Sequence, residues 1–484
     1  MISRRQFMAG VGAASVVGFN PVARAWVGSR HRDPFDHVPP LDGELVTDPA
    51  SLAAIADDVG NIVHKIPVAI LRPGSVEDVR EMVRFCYRHR IKVGARGQGH
   101  TTFGQSQVEG GLVVDMSTLD QVHSINPQRA DVGAGVRWID LLNLVVPQGL
   151  TPPVLTGYTA LSIGGTLSVG GISSTTAEGV QVDRVQELEV VTGEGDLVRC
   201  SEHHRRDLFE AMLAGLGQCG IITRAVVDLV PAKQQVREFK LHYSDNDSFF
   251  RDIRKLLARR EFNDVYNIWF PDGAGGWIYQ LNAVKFFDAG EEPDDSHLLR
   301  DLSFDPSSTL IADFSYLDYV LRVDAIVGFF RQLGLWDDVL HPWFDVLLPD
   351  RKIERYVADV VPTLTPEDVG LTGFLLLFPI QKSKLKRPLF RVPEGHEEFV
   401  WLFDILTAAG APGPNPAFQA QMLDRNRRLF EKARDEGGTR YPIGVVPFKR
   451  NDWVKQYGRE WSSFVRLKHR YDPRRILTPG PGIF

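Results

Sequence analysis

From residue 68 onward the chain sets short apolar runs between amphipathic stretches. Val68-Ala69-Ile70-Leu71 reads as a buried strand closed by Arg72-Pro73-Gly74. Ser75 and Asp78 resemble a capping box that opens a helix, and Val76, Val79, Met82, Val83 and Cys86 recur at helical spacing behind it. Positive charge at 88–90 suits a helix C-terminus, and a second strand is expected to start at 91. Further strands are expected at 112–115, 132–135, 188–191 and 221–226, with helices over 138–146 and 207–216. Between about 233 and 446 aromatic residues crowd in, among them Phe249, Phe250, Tyr266, Trp269 and Trp277, and helical stretches such as 316–333 intervene. This texture predicts an antiparallel sheet with helices, forming a second domain over the first. The stretch 453–484 is too short to fold alone and is expected to pack back on the front domain.

Composition narrows the classes. The 484 residues are 43% hydrophobic and 24% charged, with mean hydropathy −0.13. These values exclude disorder, a collagen-like chain and a membrane bundle, and the length suggests two to three domains. A net charge of −6 lacks the footprint of a nucleic-acid binder. Cys86, Cys200 and Cys219 are too few for a disulfide framework and show no metal-ligand spacing, so no metal is expected. The first 25 residues differ from the rest. Ser3-Arg4-Arg5-Gln6-Phe7, an apolar stretch from 8 to 19 and Ala23-Arg24-Ala25 read as a twin-arginine export signal, giving a periplasmic or extracellular destination. No run reaches the ~18 apolar residues of a spanning helix, so no membrane span is expected.

Three glycine-rich segments follow in order. Arg96-Gly97-Gln98-Gly99-His100-Thr101 comes directly after a strand, where glycines let backbone N–H groups approach an anion such as a pyrophosphate. It lacks the spacing and the acidic ribose partner of a Rossmann turn. Ser162-Ile163-Gly164-Gly165-Thr166-Leu167-Ser168 with Gly170-Gly171-Ile172 interleaves glycine pairs and hydroxyls, and is expected to line a slot for a flat, polar-edged ligand. Gly215-Leu216-Gly217-Gln218-Cys219-Gly220 reads as a helix stop before a strand.

This order resembles the flavoprotein family of vanillyl-alcohol oxidase, and within it the cytokinin dehydrogenases. Arg96-Gly97-Gln98-Gly99-His100-Thr101 and Gly164-Gly165-Thr166-Leu167-Ser168 carry the likeness, together with His341-Pro342-Trp343 and Ile476-Leu477-Thr478-Pro479-Gly480. The resemblance implies an α+β fold: a two-subdomain FAD-binding domain of the vanillyl-alcohol oxidase (PCMH) type plus a substrate cap domain with antiparallel sheet and helices. On that reading 1–25 is the leader and 26–64 the N-terminal segment of the flavin domain. Residues 65–232 form the FAD-binding domain, 233–446 the cap, and 447–484 the return. It implies FAD bonded covalently to His100, with Ala95, Gly97, Gln98, Gly99, Thr101 and Gln105 around the pyrophosphate. Ser162, Ser168, Ile172, Ile222 and Thr478 are the further flavin contacts. Pro481 stands where plant members carry Gln, so that contact is lost or replaced. Neither Cys200 nor Cys219 lies where some relatives form a second bond, which implies a single attachment.

The catalytic base is where the resemblance fails. The family's Thr-Asp-Tyr triplet is Thr156-Gly157-Tyr158 here, and glycine cannot accept a proton. A second family acid aligns with Tyr266. Tyr158 or Tyr266 is therefore expected as proton acceptor or hydrogen-bond partner, with a lowered phenol pKa if either is the base. Trp343 is expected as a pocket wall, and Asp345 and His341 are further candidates, His341 reading more naturally as structural. The implied activity is hydride transfer from a small organic substrate to FAD, reoxidised by oxygen or a quinone-like acceptor. Loss of both family acids argues against a protonated amine or adenine-type substrate and favours a neutral one, an alcohol or aromatic compound. Two alternatives stay open: a flavin-binding module that has lost turnover, and a cytokinin or amine dehydrogenase with a relocated base.

Overall fold

A computed structural model describes residues 16–20, 25–28 and 38–484 of the chain. Arg4, Arg5 and Ala23 of the expected leader lie outside the described residues, and strands Val16–Asn20 and Ala25–Gly28 pair antiparallel. A four-stranded sheet follows, in the order Glu44–Val46, Ala69–Arg72, Leu112–Asp115, Val93–Arg96. Its first pair is antiparallel and the other two are parallel. Helix Val76–His89 crosses between its second and last strands, burying Val79, Met82, Val83, Phe85 and Cys86 completely. The expected capping box forms only by half. Ser75 accepts from the Asp78 N–H, but the Asp78 carboxylate turns to the N–H groups of Asp42, Gly43 and Gly74, each at 2.8 Å. Asp78 thus fastens the N-terminal segment to the first sheet.

An antiparallel sheet of five strands forms the other half of the front domain, in the order Leu197–Ser201, Val185–Thr192, Gly220–Asp228, Arg129–Gly133, Val122–Asn126. The chain then enters an eight-stranded antiparallel sheet, ordered Leu310–Ser315, Gln235–Tyr243, Trp277–Phe287, Asp264–Pro271, Phe374–Gln381, Phe399–Leu406, Phe344–Pro349, Thr439–Arg440. Its strands are apolar on both faces and divide their residues by parity. Leu375, Leu377, Trp401, Phe403 and Ile405 pack under helices Asn246–Arg259, Ile353–Val360 and Pro416–Asp435, whereas Phe378, Val400 and Leu402 join the front-domain core. Most crowded aromatics serve the first of these cores, with Phe249–Trp269 and Trp269–Tyr279 in edge-on contact at 4.9 and 4.8 Å between centroids.

Two helical expectations shift. The stretch read as one helix over 316–333 is two, Tyr316–Val320 and Arg322–Gln332, separated at Leu321. The helix expected to reach 216 stops at Met212, and the chain turns through left-handed Ala214, Leu216 and Gly217 into the next strand. The tail pairs with the front domain. Val93 donates to Ile476 O and accepts from Thr478 N, each at 2.8 Å, so the tail extends the edge of the first sheet. Thr478 Oγ1 donates to Gly217 O and Lys468 Nζ to Gln218 O, which ties the same tail to the second half.

Candidate active site

All three glycine segments open onto one cavity of about 410 Å³, and so does the inner face of the eight-stranded sheet. The first segment is a loop pinned from behind. Asp58 accepts from Thr101 Oγ1 at 2.8 Å, Gly104 N at 2.7 Å and Gly60 N at 3.2 Å. Burial nevertheless pushes its carboxyl up to about 6. With the loop fixed, the N–H groups of Gln98, Gly99, His100 and Thr101 donate to no acceptor among the described residues. Gly99 is left-handed at φ +66° and the run lines the cavity, where such unpaired successive amides suit a nest for an anion.

The second segment lines the cavity, in part as helix. Residues Ile163–Val169 form a short helix, anchored by Ile163 N to Val136 O and Gly164 N to Ala134 O. Gly164 serves packing: a Cβ there would lie 2.7 Å from the Ala134 Cβ. Ser162, Gly165, Ser168 and Ile172 line the cavity. The third segment contributes Ile222 and, through the Gly217 turn, meets Thr478.

His100 stands at the junction of the two regions. Its ring centroid lies 5.0 Å from Tyr158, 5.5 Å from Trp343 and 6.3 Å from Trp336. Burial first, then the charges of His341 and Arg331, depress it to about 3, so the imidazole is neutral at physiological pH. Beyond it the wall is apolar, with Val323, Val327, Phe330, Phe374 and Leu376. His341 is buried and its Nε2 lies 3.0 Å from Trp336 O, holding the Trp336–Trp343 turn together.

The structure brings to this cavity every flavin and catalytic residue that the sequence reading singled out, with the further candidates Asp345 and His341. Ala95, Gly97, Gln98, Gly99, Thr101 and Gln105 surround the nest, and Tyr158, Tyr266 and Trp343 stand on the sheet side. One expectation needs correction. Tyr266 is no acceptor with a lowered pKa: its hydroxyl donates to the buried Glu238 carboxylate, and burial pushes the phenol up. It belongs to a network with Arg322, which lies over the Tyr319 and Tyr266 rings at 3.9 and 5.1 Å, while Tyr319 donates to Asp264 at 2.8 Å. Tyr158 takes a hydrogen bond from Arg331 Nη1 at 3.2 Å.

Residue 157 is an open space. A Cβ there would meet only Val323 Cγ2, at 3.8 Å. Asp324 sits behind this loop but accepts from Thr159 N, Thr159 Oγ1 and Ala160 N, which makes it a clamp on the backbone. The carboxylates that line the cavity are Asp345 and Asp404. Asp404 escaped the sequence reading; the signal was an acid at the inward parity of the otherwise apolar strand Phe399–Leu406.

Comparison with known proteins agrees with this arrangement. Residues 67–201 match the FAD binding domain family, and 261–484 match the family described as "Cytokinin dehydrogenase 1, FAD and cytokinin binding". An uncharacterized oxidoreductase, ORF5 of the fasciation locus in Rhodococcoides fascians, is 36% identical over 91% of this chain and 99% of its own length. Cytokinin dehydrogenase 2 of Arabidopsis thaliana is 30% identical over 92% of this chain and 94% of its own. Cytokinin dehydrogenase 1 of Oryza sativa is 32% identical over 91% and 92%. In architecture the chain is similar to 6-hydroxy-D-nicotine oxidase from Arthrobacter nicotinovorans, with a TM-score of 0.71 at 21% identity over 90% of this chain and 96% of that one.

Proposed function

Because the chain belongs to the FAD-dependent oxidoreductases of the vanillyl-alcohol oxidase type, in their cytokinin dehydrogenase-like branch, we propose that it holds FAD covalently through His100 and oxidises the carbon beside the nitrogen of a small, flat amine. The observation that carries this reading is the continuity of the cavity: an amide nest for an anion at one end, a neutral imidazole in the middle, an aromatic and aliphatic chamber at the other. These features fit FAD. The unpartnered amides at 98–101 suit its pyrophosphate, and the Ser162–Ile172 wall and Thr478 suit its ring system. A neutral nitrogen is the nucleophilic form of histidine, as a covalent bond at that position requires.

Bound there, the flavin supplies an acceptor for the two electrons and the hydrogen of the substrate's C–H bond. The chain's own residues do the rest. Trp336, Trp343 and Phe330 enclose a planar substrate and exclude water from it. Tyr158, held by Arg331, orients the substrate against the His100 side of the cavity. Two buried carboxylates in the lining support an amine over an alcohol. Dioxygen or a quinone-like compound would serve as the final electron acceptor. Ser3-Arg4-Arg5-Gln6-Phe7 supports export by the twin-arginine route.

Anaerobic addition of substrates to the purified yellow protein tests the reading. A cytokinin such as isopentenyladenine, or a like N-alkyl planar amine, bleaches the oxidised flavin band. Bleaching by alcohols or phenols alone would overturn the amine assignment. A spectrum untouched by the whole panel would favour a binding module without turnover.

A further inference from the structure

We propose that Asp345 and Asp404 form a proton-sharing carboxylate dyad that takes the substrate's nitrogen proton, in place of the carboxylate that residue 157 lacks. This rests on the amine-oxidising reading above. The two residues face each other across adjacent antiparallel strands, Asp345 opposite Asp404. Directly opposed residues carry their Cβ atoms about 5 Å apart, close enough for one carboxyl to bond the other. The same row runs on through Leu376, opposite Asp404, and Ile268, opposite Leu376. All four line the cavity, so two acids stand in a row that is otherwise aliphatic.

Nothing in the packing requires acids there. Asp345 and Asp404 are 2% and 3% exposed, and one oxygen of each, Asp345 Oδ2 and Asp404 Oδ1, has no hydrogen-bond partner. Two carboxylates buried side by side cannot both ionise freely. Burial raises both, and the charge of Asp345 raises Asp404 further, whereas the Arg440 guanidinium eases ionisation of Asp345. Asp345, pushed up to about 8, is the first of the two to ionise, and the pair then holds one proton, carried by Asp404 and shared with Asp345. Arg440 is itself fixed, donating to Gly444 O at 2.6 Å and lying over the Phe448 and Trp453 rings. The other titratable group facing the pair is Tyr441, whose phenol burial pushes up, while Tyr457 and Asp452 face Arg440.

The chemistry closes without another reagent. As the C–H bond beside the nitrogen breaks, its hydrogen and electron pair leave together for the oxidised cofactor. The N–H bond breaks too, its electron pair forms the C=N bond, and its proton becomes the second proton of the dyad. The dyad passes from one negative charge to none, and the proton leaves to solvent with the product.

The test uses the holoenzyme and the isosteric variants Asp345→Asn, Asp404→Asn and their combination, with Asp404→Ser as the second choice should the amide fail to fold. Stopped-flow bleaching by isopentenyladenine, followed against pH, should slow by roughly 10²–10⁴-fold in Asp345→Asn. The acid limb of the wild-type profile should vanish in that variant and shift in Asp404→Asn. Independently of turnover, an infrared pH titration of the substrate-free protein should show a protonated carboxyl band that persists past neutrality and is lost in the double variant. Variants that bleach at the wild-type rate with the wild-type pH profile overturn the dyad, and so does a carboxyl band unchanged in the double variant. A wild-type flavin that no amine bleaches, with the band present, overturns the substrate reading instead.

Discussion

Replacing Gly164 by alanine adds one methyl where helix Ile163–Val169 meets the end of strand Arg129–Gly133. The new Cβ would lie 2.7 Å from the Ala134 Cβ, 3.1 Å from its oxygen and 3.4 Å from its Cα. Ordinary carbon contacts begin near 3.4 Å, so the helix must retreat by about 0.7 Å. Retreat stretches Ile163 N to Val136 O and Gly164 N to Ala134 O, now 2.8 and 2.9 Å. Overpacking of this kind costs ~1–3 kcal/mol, and a weakened buried hydrogen bond adds ~1 kcal/mol. The better helix propensity of alanine returns ~1 kcal/mol, which leaves a net loss of roughly 1–3 kcal/mol. The same shift moves Ser162, Gly165 and Ser168, which line the cavity, so flavin per protein should fall as well. Ala134→Gly removes the opposing methyl. A double-variant cycle by urea unfolding should therefore show favourable coupling of about 1–2 kcal/mol, with flavin content recovering in the double variant. Additive effects, or a Gly164→Ala protein as stable and as yellow as the wild type, would refute the close-approach account of this glycine.

Gly157→Asp should fold with wild-type stability, because the added Cβ meets only Val323 at 3.8 Å and the backbone there is not left-handed. In the Asp345→Asn/Asp404→Asn background it should restore part of the bleaching rate, read by stopped flow. Protein denied FAD should lose stability as pH falls below about 6.5, since His100 is depressed to about 3 in the folded state and the unfolded chain takes up its proton first. His100→Ala should flatten that limb in thermal unfolding against pH. Asp472 accepts from Ile476 N and Leu477 N, each at 2.9 Å, and pairs with Lys468 while fully buried. Its replacement by alanine should cost ~3–5 kcal/mol and free the tail for limited proteolysis at 476–484.

Local chemistry made half of this site readable in advance. Gly97 and Gly99 beside His100, the Ser162–Ile172 stretch and Thr478 each announce themselves within a few residues, because backbone approach and hydroxyl supply are short-range properties. Strand and helix placement followed from periodicity, with ends off by a few residues where left-handed turns at Ala214 and Leu216, or the break at Leu321, intervened. What escaped depends on register between distant strands. Asp345 and Asp404 are 59 residues apart in the chain and become neighbours only through pairing of Phe344–Pro349 with Phe399–Leu406. The Glu238–Tyr266 bond likewise comes from parity across the sheet, which turned an expected base into a donor. Asp58 and Asp78 were legible as acids but not as anchors, since their partners lie across loops.

The claim on which the rest depends is the bond between His100 and the flavin. Purified holoprotein precipitated in acid should pellet yellow, and its digest should contain a single flavin-bearing peptide, the one that carries residue 100. His100→Ala should lose that peptide while keeping the fold. Colour released entirely into the supernatant, with an unmodified residue-100 peptide in the pellet, would contradict the account.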